Sequence, residues 1–348
     1  MAATAMLWQF FYVKVIARSR QRHGHSVVLE NIKVIKTQMR TFMNFYFAPL
    51  EGITNYVYRN VYEKHFGGMN KYFSPFISTN QHFGIQSKEK KDVDPENNKD
   101  LFLVPQILTN NAEQFCDMAE KMADLGYREI NLNLGCPSKT VVTKKKGSGF
   151  LAYPEELDRF LGEIYEGCQG MEISLKTRIG MENPGEFEHL LEIYNQYPLK
   201  ELIIHPRLQI DYYKNHPNME AFAYALENAK APLCYNGDLY TVEDIRNFQK
   251  NYPMIDRIML GRGPLKAPTL MKELQGEERD LKLWYHFLTE LCERYEEVLF
   301  GETNVLYKLK EHWYYLFQSL PDSEKAVKAM RKIRHLDDYK VLVKSILC

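Results

Sequence analysis

Residues 129–138 read EINLNLGCPS, an alternating run of polar and apolar side chains that ends abruptly at Gly135-Cys136-Pro137. The alternation predicts a short β-strand, and the glycine and proline predict where the strand ends. The chain therefore presents the thiol of Cys136 at the carboxyl end of a strand, with a proline stiffening the backbone behind it.

Seven other β-rich runs accompany this one, and most of the gaps carry a helical pattern, such as Glu113–Leu125 and Pro154–Ile164. The eight runs are Phe45–Ala48, Tyr72–Ile77, Leu101–Leu108, Glu129–Leu134, Glu172–Lys176, Glu201–His205, Leu233–Tyr235 and Arg257–Leu260. Eight β-then-α units in series predict an α/β protein whose parallel strands close into a (β/α)8 TIM barrel. An open, doubly wound sheet is the alternative.

After Gly263 the strand pattern stops and amphipathic helical patterns follow. Within residues 304–320 one stripe is apolar at helical spacing: Leu306, Leu309, Trp313, Leu316 and Leu320. Ser323 is the predicted N-cap of the next helix. We therefore predict three parts, which are an N-terminal extension at 1–43, a barrel at 44–270 and a small all-helical domain at 271–348.

The composition is that of an ordinary globular protein, with 45% hydrophobic and 26% charged residues in a chain of 348. Lys and Arg number 45, as do Asp and Glu, so bulk charge argues neither for nor against a polyanionic partner. Residues 1–43 carry seven basic residues against the single acid Glu30, which leaves residues 44–348 net acidic. Any contact with nucleic acid must therefore use local basic patches.

The basic segment 1–43, which is apolar at its head, could be an organellar presequence or a membrane-surface helix. The alternative, which we adopt, is that Met39 or Met43 is the true start and the segment is dispensable. The six cysteines form no Cys-x-x-Cys pair, which argues against a metal site. A disulfide framework is not expected in a chain this long that lacks a convincing secretory signal. We expect a cytoplasmic monomer with reduced thiols, no bound metal and no transmembrane helix, since no run of about 18 apolar residues occurs.

Catalytic groups of TIM barrels come from the carboxyl ends of the strands. Seven of the eight predicted ends carry polar or cationic side chains, which predicts a large anionic ligand. These side chains are Glu51, Gln106, Asn133, Cys136, Lys176, Arg178, His205, Arg207, Asn236, Asp238 and Arg262.

Two of these ends, Asn236-Gly237-Asp238 and Gly261-Arg262-Gly263, follow the seventh and eighth strands, where TIM barrels usually bind phosphate. Glycine lets backbone N–H groups approach an anion, and Arg262 can bind it through its guanidinium. A plain turn is the alternative.

Lys176 has two interpretations: a Schiff-base nucleophile, as in barrel aldolases, or a cation that stabilises the negative charge at N1 and O2 of a reduced flavin.

Seven short motifs, taken together, resemble the tRNA-dihydrouridine synthase family in order and spacing across residues 45–270. They are APLEGITNYVYR at 48–59, PQI at 105–107, NLNLGCPS at 131–138, LKTRIG at 175–180, HPR at 205–207, YNGD at 235–238 and LGRG at 260–263. The helical tail is similar to the RNA-binding domain of that family.

The resemblance implies an FMN enzyme that reduces the C5–C6 double bond of a uracil in tRNA, with NADPH as the electron source. It implies that flavin N5 delivers a hydride to C6 and that Cys136 protonates C5. A thiol of ordinary pKa, about 8.5, is mostly protonated at neutral pH and can do so. The implied cofactor-binding residues are Pro49, Leu50, Glu51, Gln106, Lys176, His205, Asn236, Gly237, Asp238, Gly261 and Arg262.

On the substrate side, the implied contacts to base and RNA are Asn133, Lys144, Lys145, Arg178 and Arg207. The base must leave its stack to reach the flavin. We expect the loop after Cys136, which contains Lys144–Lys146 and Gly147-Ser148-Gly149, to be flexible and to close over the base. A solvated loop is the alternative.

The chain also departs from the family pattern. The family commonly has Ala at the position of Glu51 and Asp at that of Asn55. It often has Thr and Gln where this chain has Leu208 and Asp211, which leaves the choice of uridine open.

Two other functions stay open. One is an FMN barrel oxidoreductase that acts on a free pyrimidine or dihydroorotate, and the other is a tRNA-binding protein that has lost catalysis. The intact Cys136, Lys176 and Arg262 argue against the second. A basic face of the helical tail argues against the first; it carries Lys325, Lys328, Arg331, Lys332 and Arg334.

Overall fold

A computed structural model describes residues 43–79, 85–321 and 323–348. Residues 44–348 form one compact unit. The predicted extension at 1–43 lies outside the described residues, except for Met43.

The sheet contains ten parallel strands within the described residues, in the order β3-β5-β6-β7-β8-β9-β10-β1-β2-β4. Their bounds are β1 Asn44–Phe47, β2 Lys71–Phe73, β3 Ile77–Ser78, β4 Leu103–Val104, β5 Gln106–Leu108, β6 Glu129–Leu134, β7 Glu172–Arg178, β8 Leu202–His205, β9 Leu233–Tyr235 and β10 Arg257–Leu260. The sheet closes because β1 pairs with both β10 and β2. β2 pairs with β4, and β3 pairs with β5. β2 and β3 are therefore two halves of one barrel strand, and β4 and β5 are two halves of the next. Eight positions result, which confirms the predicted TIM barrel.

A proline interrupts each of the two divided positions. Pro75 lies between β2 and β3, and Pro105 lies between β4 and β5. Proline has no N–H to donate and therefore breaks a strand ladder. The backbone N–H of Gln106 instead donates to Ser74 Oγ at 3.0 Å, which joins the two positions across the break.

Helices fill the gaps between strands and form the tail. In the described part of the chain they are α1 Tyr56–His65, α2 Ser87–Val93, α3 Ala112–Asp124, α4 Lys139–Val142, α5 Pro154–Gly167, α6 Glu186–Tyr194, α7 Met219–Asn228, α8 Val242–Asn251, α9 Arg262–Lys266, α10 Leu270–Leu274, α11 Leu281–Val298, α12 Glu302–Leu316, α13 Glu324–Lys332 and α14 Leu336–Leu347. Short 3-10 helices cover Pro95–Asn97, Gly147–Ala152 and Gln209–Asp211. The helices predicted between strands are confirmed as α3 and α5, which bury apolar side chains such as Phe115 and Leu157.

The barrel interior is apolar in the middle and charged at its amino end. A buried cluster fills the middle: Tyr46, Ala48, Phe73, Val104, Ile203, Cys234 and Met259. At the amino end, Lys71 Nζ donates to Glu129 Oε2 and Glu201 Oε1, each at 2.8 Å. Lys71 thus bridges the two carboxylates at the amino end of the barrel, and ligands of this fold bind at the opposite, carboxyl end.

The helical tail follows the predicted apolar stripe. Leu306, Leu309, Trp313 and Leu316 of α12 are buried, whereas Leu320 lies beyond the end of the helix and is partly exposed. Ser323 occupies the N-cap position of α13, but its hydroxyl donates to the Phe317 carbonyl at 3.2 Å instead of capping the helix. The helical region after the barrel is therefore confirmed.

Of the helices described above, none is long and apolar enough to cross a membrane. Over the same residues, no three His, Cys, Asp or Glu side chains are grouped so that they could hold a metal ion.

Candidate active site

A cavity of about 270 Å³ opens at the carboxyl end of the barrel. The structure brings Cys136, Asn133 and Arg178 together there with all eleven of the predicted cofactor-binding residues. The lining is Ala48, Pro49, Leu50, Glu51, Ile53, Phe76, Gln106, Asn133, Gly135, Cys136, Pro137, Lys176, Arg178, His205, Tyr213, Asn236, Gly237, Asp238, Tyr240, Gly261, Arg262 and Tyr315. The strand ends that the sequence singled out therefore converge on one site.

Cys136 is held by hydrogen bonds on both sides of its backbone. Asn133 Oδ1 accepts from the N–H groups of Gly135 at 3.0 Å and Cys136 at 2.9 Å. The Asn133 amide is itself oriented by donating to Gln106 Oε1 at 2.7 Å. On the other side, the Cys136 carbonyl accepts from the N–H and the hydroxyl of Ser148, at 3.1 and 2.9 Å. The thiol is thus presented to the cavity from a defined turn.

The prediction of a flexible loop after Cys136 is wrong. The segment forms α4 and then the 3-10 helix Gly147–Ala152, whose residues 147–151 are buried. A Cβ added at Gly147 would lie 2.9 Å from the Cys136 carbonyl oxygen, and one added at Gly149 would lie 2.7 Å from Val142 Cα. These glycines therefore serve close packing against the Cys136 turn and not mobility.

The predicted RNA contacts Lys144 and Lys145 do not line the cavity. Lys145 Nζ lies 3.5 Å from Glu156 Oε1 and 3.9 Å from the centre of the Tyr153 ring. The neighbouring Lys146 donates to the Thr79 carbonyl at 3.2 Å. The lysine run thus lies on the outer side of the segment that packs beneath Cys136.

Arg207, predicted to contact the substrate, is also absent from the cavity lining and is only 1% exposed. Its guanidinium donates to Asp238 and to the carbonyl oxygens of Lys214 at 3.0 Å and Asn215 at 2.7 Å. The carboxylate of Asp238, which is partly exposed in the cavity, thus pairs with a buried arginine that lies beneath the site and supports it.

Burial and neighbouring cations set the protonation of the three central groups. Burial, and then the charge of Arg178, lower the pKa of Lys176 to about 8. Burial and the same cations hold the pKa of His205 well below its usual value, so its ring is neutral. Burial raises the pKa of the Cys136 thiol, partly countered by a hydrogen bond from the Ser138 N–H. The thiol is therefore protonated at neutral pH.

No carboxylate acts on the Lys176 ammonium among the described residues. A largely desolvated ammonium group without a counter-ion is costly for the free protein. Because Lys176 lines the cavity, an anionic group of a ligand can supply that counter-ion.

The ends of the last two strands form a second polar region. A Cβ added at Gly237 would lie 2.0 Å from Tyr235 Oη, so only glycine fits there. Asp238 accepts from Tyr240 Oη at 2.6 Å and from Arg262 at 2.7 Å. Burial would raise the pKa of Asp238, but hydrogen bonds from Arg207 and Tyr240 outweigh it and lower the pKa, so the carboxylate stays charged.

Sequence reasoning missed the aromatic residues of the lining. Arg262 lies between the rings of Tyr213 and Tyr240, with its guanidinium carbon 4.8 and 5.1 Å from their centres. Tyr213 and Tyr240 lie in the loops after β8 and β9, and reading whole loops instead of strand ends would have found them. Tyr315 comes from α12, and no local signal connects it to the barrel.

Comparison with known protein sequences bears on the family of this chain. The family model for dihydrouridine synthase matches residues 46–345. The tRNA-dihydrouridine(16) synthase of Pseudomonas syringae pv. tomato is 25% identical over 313 residues, which are 86% of this chain and 98% of that protein. A probable tRNA-dihydrouridine synthase of Staphylococcus epidermidis is 30% identical over 247 residues, or 69% of this chain and 74% of that protein.

Two solved structures share the fold at low identity. Histamine dehydrogenase from Rhizobium sp. 4-9 matches with a TM-score of 0.50 and 10% identity, over 72% of this chain and 48% of that chain. A 2-naphthoyl-CoA reductase matches with a TM-score of 0.51 and 10% identity, over 67% and 50% of the two chains. Such likeness shows the fold alone. The family model, however, spans barrel and helical tail together, and this chain therefore belongs to the dihydrouridine synthase family.

Proposed function

We propose that this protein reduces the C5–C6 double bond of a uridine in tRNA to dihydrouridine, with FMN as bound cofactor and NADPH as reductant. The observation that carries the proposal is that a protonated thiol, Cys136, and a partly buried cation, Lys176, line one cavity. Family membership supplies the reaction class, and the relatives named above supply tRNA as the substrate.

The residues of the cavity fit FMN. Lys176 would offer an uncompensated cation to the ring, and Gly237 and Arg262, which line the cavity, would offer a backbone N–H and a guanidinium to the phosphate. The wall of Pro49, Leu50 and Glu51 would pack against the isoalloxazine, with Gln106, His205, Asn236, Asp238 and Gly261 completing the contacts. Reduced FMN, when bound, supplies the hydride that C6 of the uracil receives.

Cys136 supplies the proton that C5 requires, so that one hydride and one proton saturate the double bond. Its raised pKa keeps the proton on sulfur at neutral pH until negative charge develops on the base. Asn133 and Ser148 fix the turn that carries the thiol, which sets the direction of proton transfer. Asn133 would also contact the base through the remaining hydrogen of its amide.

The target uridine must be extruded from its stack to reach this cavity. Arg178 would meet it at the cavity wall, where its guanidinium is already held by the carbonyls of Gly135, Leu208 and Tyr212. Lys144 and Lys145 would neutralise backbone phosphates from outside the site. The helical region at 271–348 would extend this surface as an RNA-binding domain beside the 44–270 barrel, in a cytoplasmic monomer.

The test is the visible spectrum of the purified protein, before and after anaerobic NADPH. We expect a flavin spectrum that NADPH bleaches and that returns when tRNA lacking dihydrouridine is added. Free uridine and orotate, the oxidised partner of dihydroorotate, are the controls, because return of the spectrum with either would favour the free-base alternative. A protein that takes up no FMN would contradict the proposal and favour the non-catalytic tRNA-binding alternative.

The matched variant is Cys136→Ala. It should bind FMN and be bleached by NADPH as the wild type is, yet form at least about a hundredfold less dihydrouridine, since it lacks the proton donor. Mass spectrometry of digested tRNA measures the product. Wild-type turnover by this variant would remove Cys136 from the mechanism.

A further inference from the structure

We infer that helices α11 and α12 of the tail hold the β1–α1 loop, residues 48–55, and thereby form part of the cofactor cavity, with Lys308 and Tyr295 as positioning residues. The sequence predicts only an RNA-binding role for this tail. The inference deepens the proposed function, because it rests on that function for the identity of the ligand as FMN.

The first contact is between Lys308 of α12 and the loop. Lys308 Nζ donates to the carbonyl of Gly52, and it is paired with Glu311 at 2.6 Å on the same helix. Gly52 has φ +77, in the left-handed region that favours glycine. The lysine therefore holds the loop at its left-handed glycine.

The second contact is a buried chain of polar groups. Asn55 Oδ1 caps α1 by accepting from the Tyr58 N–H at 3.0 Å, and it also accepts from the hydroxyl of Tyr295 on α11 at 3.2 Å. The Tyr295 hydroxyl lies 3.1 Å from His312 Nε2 on α12. Tyr295 is fully buried and His312 is 2% exposed, so water is excluded from the bond between them, whereas Asn55 is partly exposed.

The direction of this chain follows from the state of His312. Burial lowers the pKa of His312 to about 3, so the ring is neutral and carries one N–H. Its Nδ1 has no hydrogen-bond partner among the described residues, which places the N–H on Nε2. That N–H donates to the Tyr295 oxygen, and the Tyr295 hydroxyl then donates to Asn55. The ring of His312 also stacks on Tyr58, with centres 4.7 Å apart.

The loop held in this way is a wall of the site. Pro49, Leu50, Glu51 and Ile53 all line the cavity. The tail itself reaches the same cavity through Tyr315, one turn along α12 from His312. Barrel and tail thus build the cavity together.

The experiment compares Lys308→Met with the wild type in two measurements. In flavin-free protein, amide hydrogen exchange of residues 48–55 should become at least about fivefold faster, because the loop loses a charge-assisted hydrogen bond. The dissociation constant of FMN should rise about tenfold for the same reason. Lys200→Met is the matched control, since Lys200 is also paired with a carboxylate, Glu172 at 2.7 Å, but at the amino end of the barrel.

Tyr295→Phe is the second variant, and it tests the inference independently if Lys308→Met does not fold. It keeps the buried ring, removes only the hydroxyl, and should also speed exchange in residues 48–55. The inference is overturned if both variants exchange and bind FMN as the wild type does. Faster exchange with unchanged FMN affinity would overturn the link to the cofactor. If the wild type takes up no FMN, the proposed function fails. Faster exchange of residues 48–55 in the two variants would then still show that the tail holds the loop.

Discussion

Replacing Lys176 with Met should stabilise the flavin-free protein while weakening flavin binding. Burial and Arg178 lower the pKa of Lys176 from 10.5 to about 8. Holding this group charged therefore costs the folded protein about 3 kcal/mol at pH 7, at about 1.4 kcal/mol for each factor of ten. Methionine has a similar length and no charge, so Lys176→Met should raise the free energy of unfolding by about that amount.

The stabilisation produced by Lys176→Met should become smaller as the pH rises. The unfolded chain binds the Lys176 proton more tightly than the folded chain does, so stability rises as pH increases through about 8. By pH 9.5 the cost of Lys176 should have fallen to about 1 kcal/mol, which narrows the difference between variant and wild type by about 2 kcal/mol. Groups other than Lys176 titrate alike in both proteins and cancel in the comparison.

Urea unfolding of the flavin-free proteins at pH 7 and pH 9.5 measures both effects. With a denaturant slope of about 3 kcal/mol per molar, the midpoint of the variant should lie about 1 M higher at pH 7. Added FMN should raise the midpoint of the wild type by mass action and raise that of the variant far less. Lys200→Met is the control for loss of a surface lysine. An unchanged or lower midpoint at pH 7, or a gap that does not narrow at pH 9.5, would refute the reasoning.

Two further predictions concern backbone geometry. Gly237→Ala places a Cβ 2.0 Å from Tyr235 Oη, so we expect a loss of about 1–3 kcal/mol in unfolding free energy and weaker FMN binding. Thermal unfolding measures this loss, with Gly162→Ala as the control. Gly162 lies inside a helix, and a Cβ there would be 3.6 Å from its nearest atom, so this substitution should be neutral or stabilising. Asn133→Ala removes the acceptor of the Gly135 and Cys136 N–H groups. This variant should form dihydrouridine at least tenfold more slowly, while NADPH still reduces its flavin at the wild-type rate. Stopped-flow absorbance measures the flavin reduction. Equal slowing of both steps would contradict a role for Asn133 in placing the thiol.

The sequence by itself determined the barrel and the position of its site. Short β-rich runs bounded by turn residues located all eight strand positions, although the strands are buried on both faces and several of them do not alternate. The predicted runs Tyr72–Ile77 and Leu101–Leu108 each contain a proline, Pro75 or Pro105, and the structure divides both runs there, which the sequence analysis did not predict. Strand ends converge in any TIM barrel, so Gln106, Lys176 and Arg262 could be assigned to one cavity without knowing a single distance.

Tertiary structure alone decided how the side chains are used. Arg207 and Arg262 look equivalent in sequence, but only the first is buried against Asp238 and two carbonyls. Gly147 and Gly149 look like a flexible loop, yet they permit close contact with the Cys136 turn. The position of Tyr315 in the cavity wall and the hold of Lys308 on the loop join residues more than 250 positions apart. The physical reason is that periodicity records the neighbours a residue has within its own element, whereas packing and charge pairing depend on which elements meet in space.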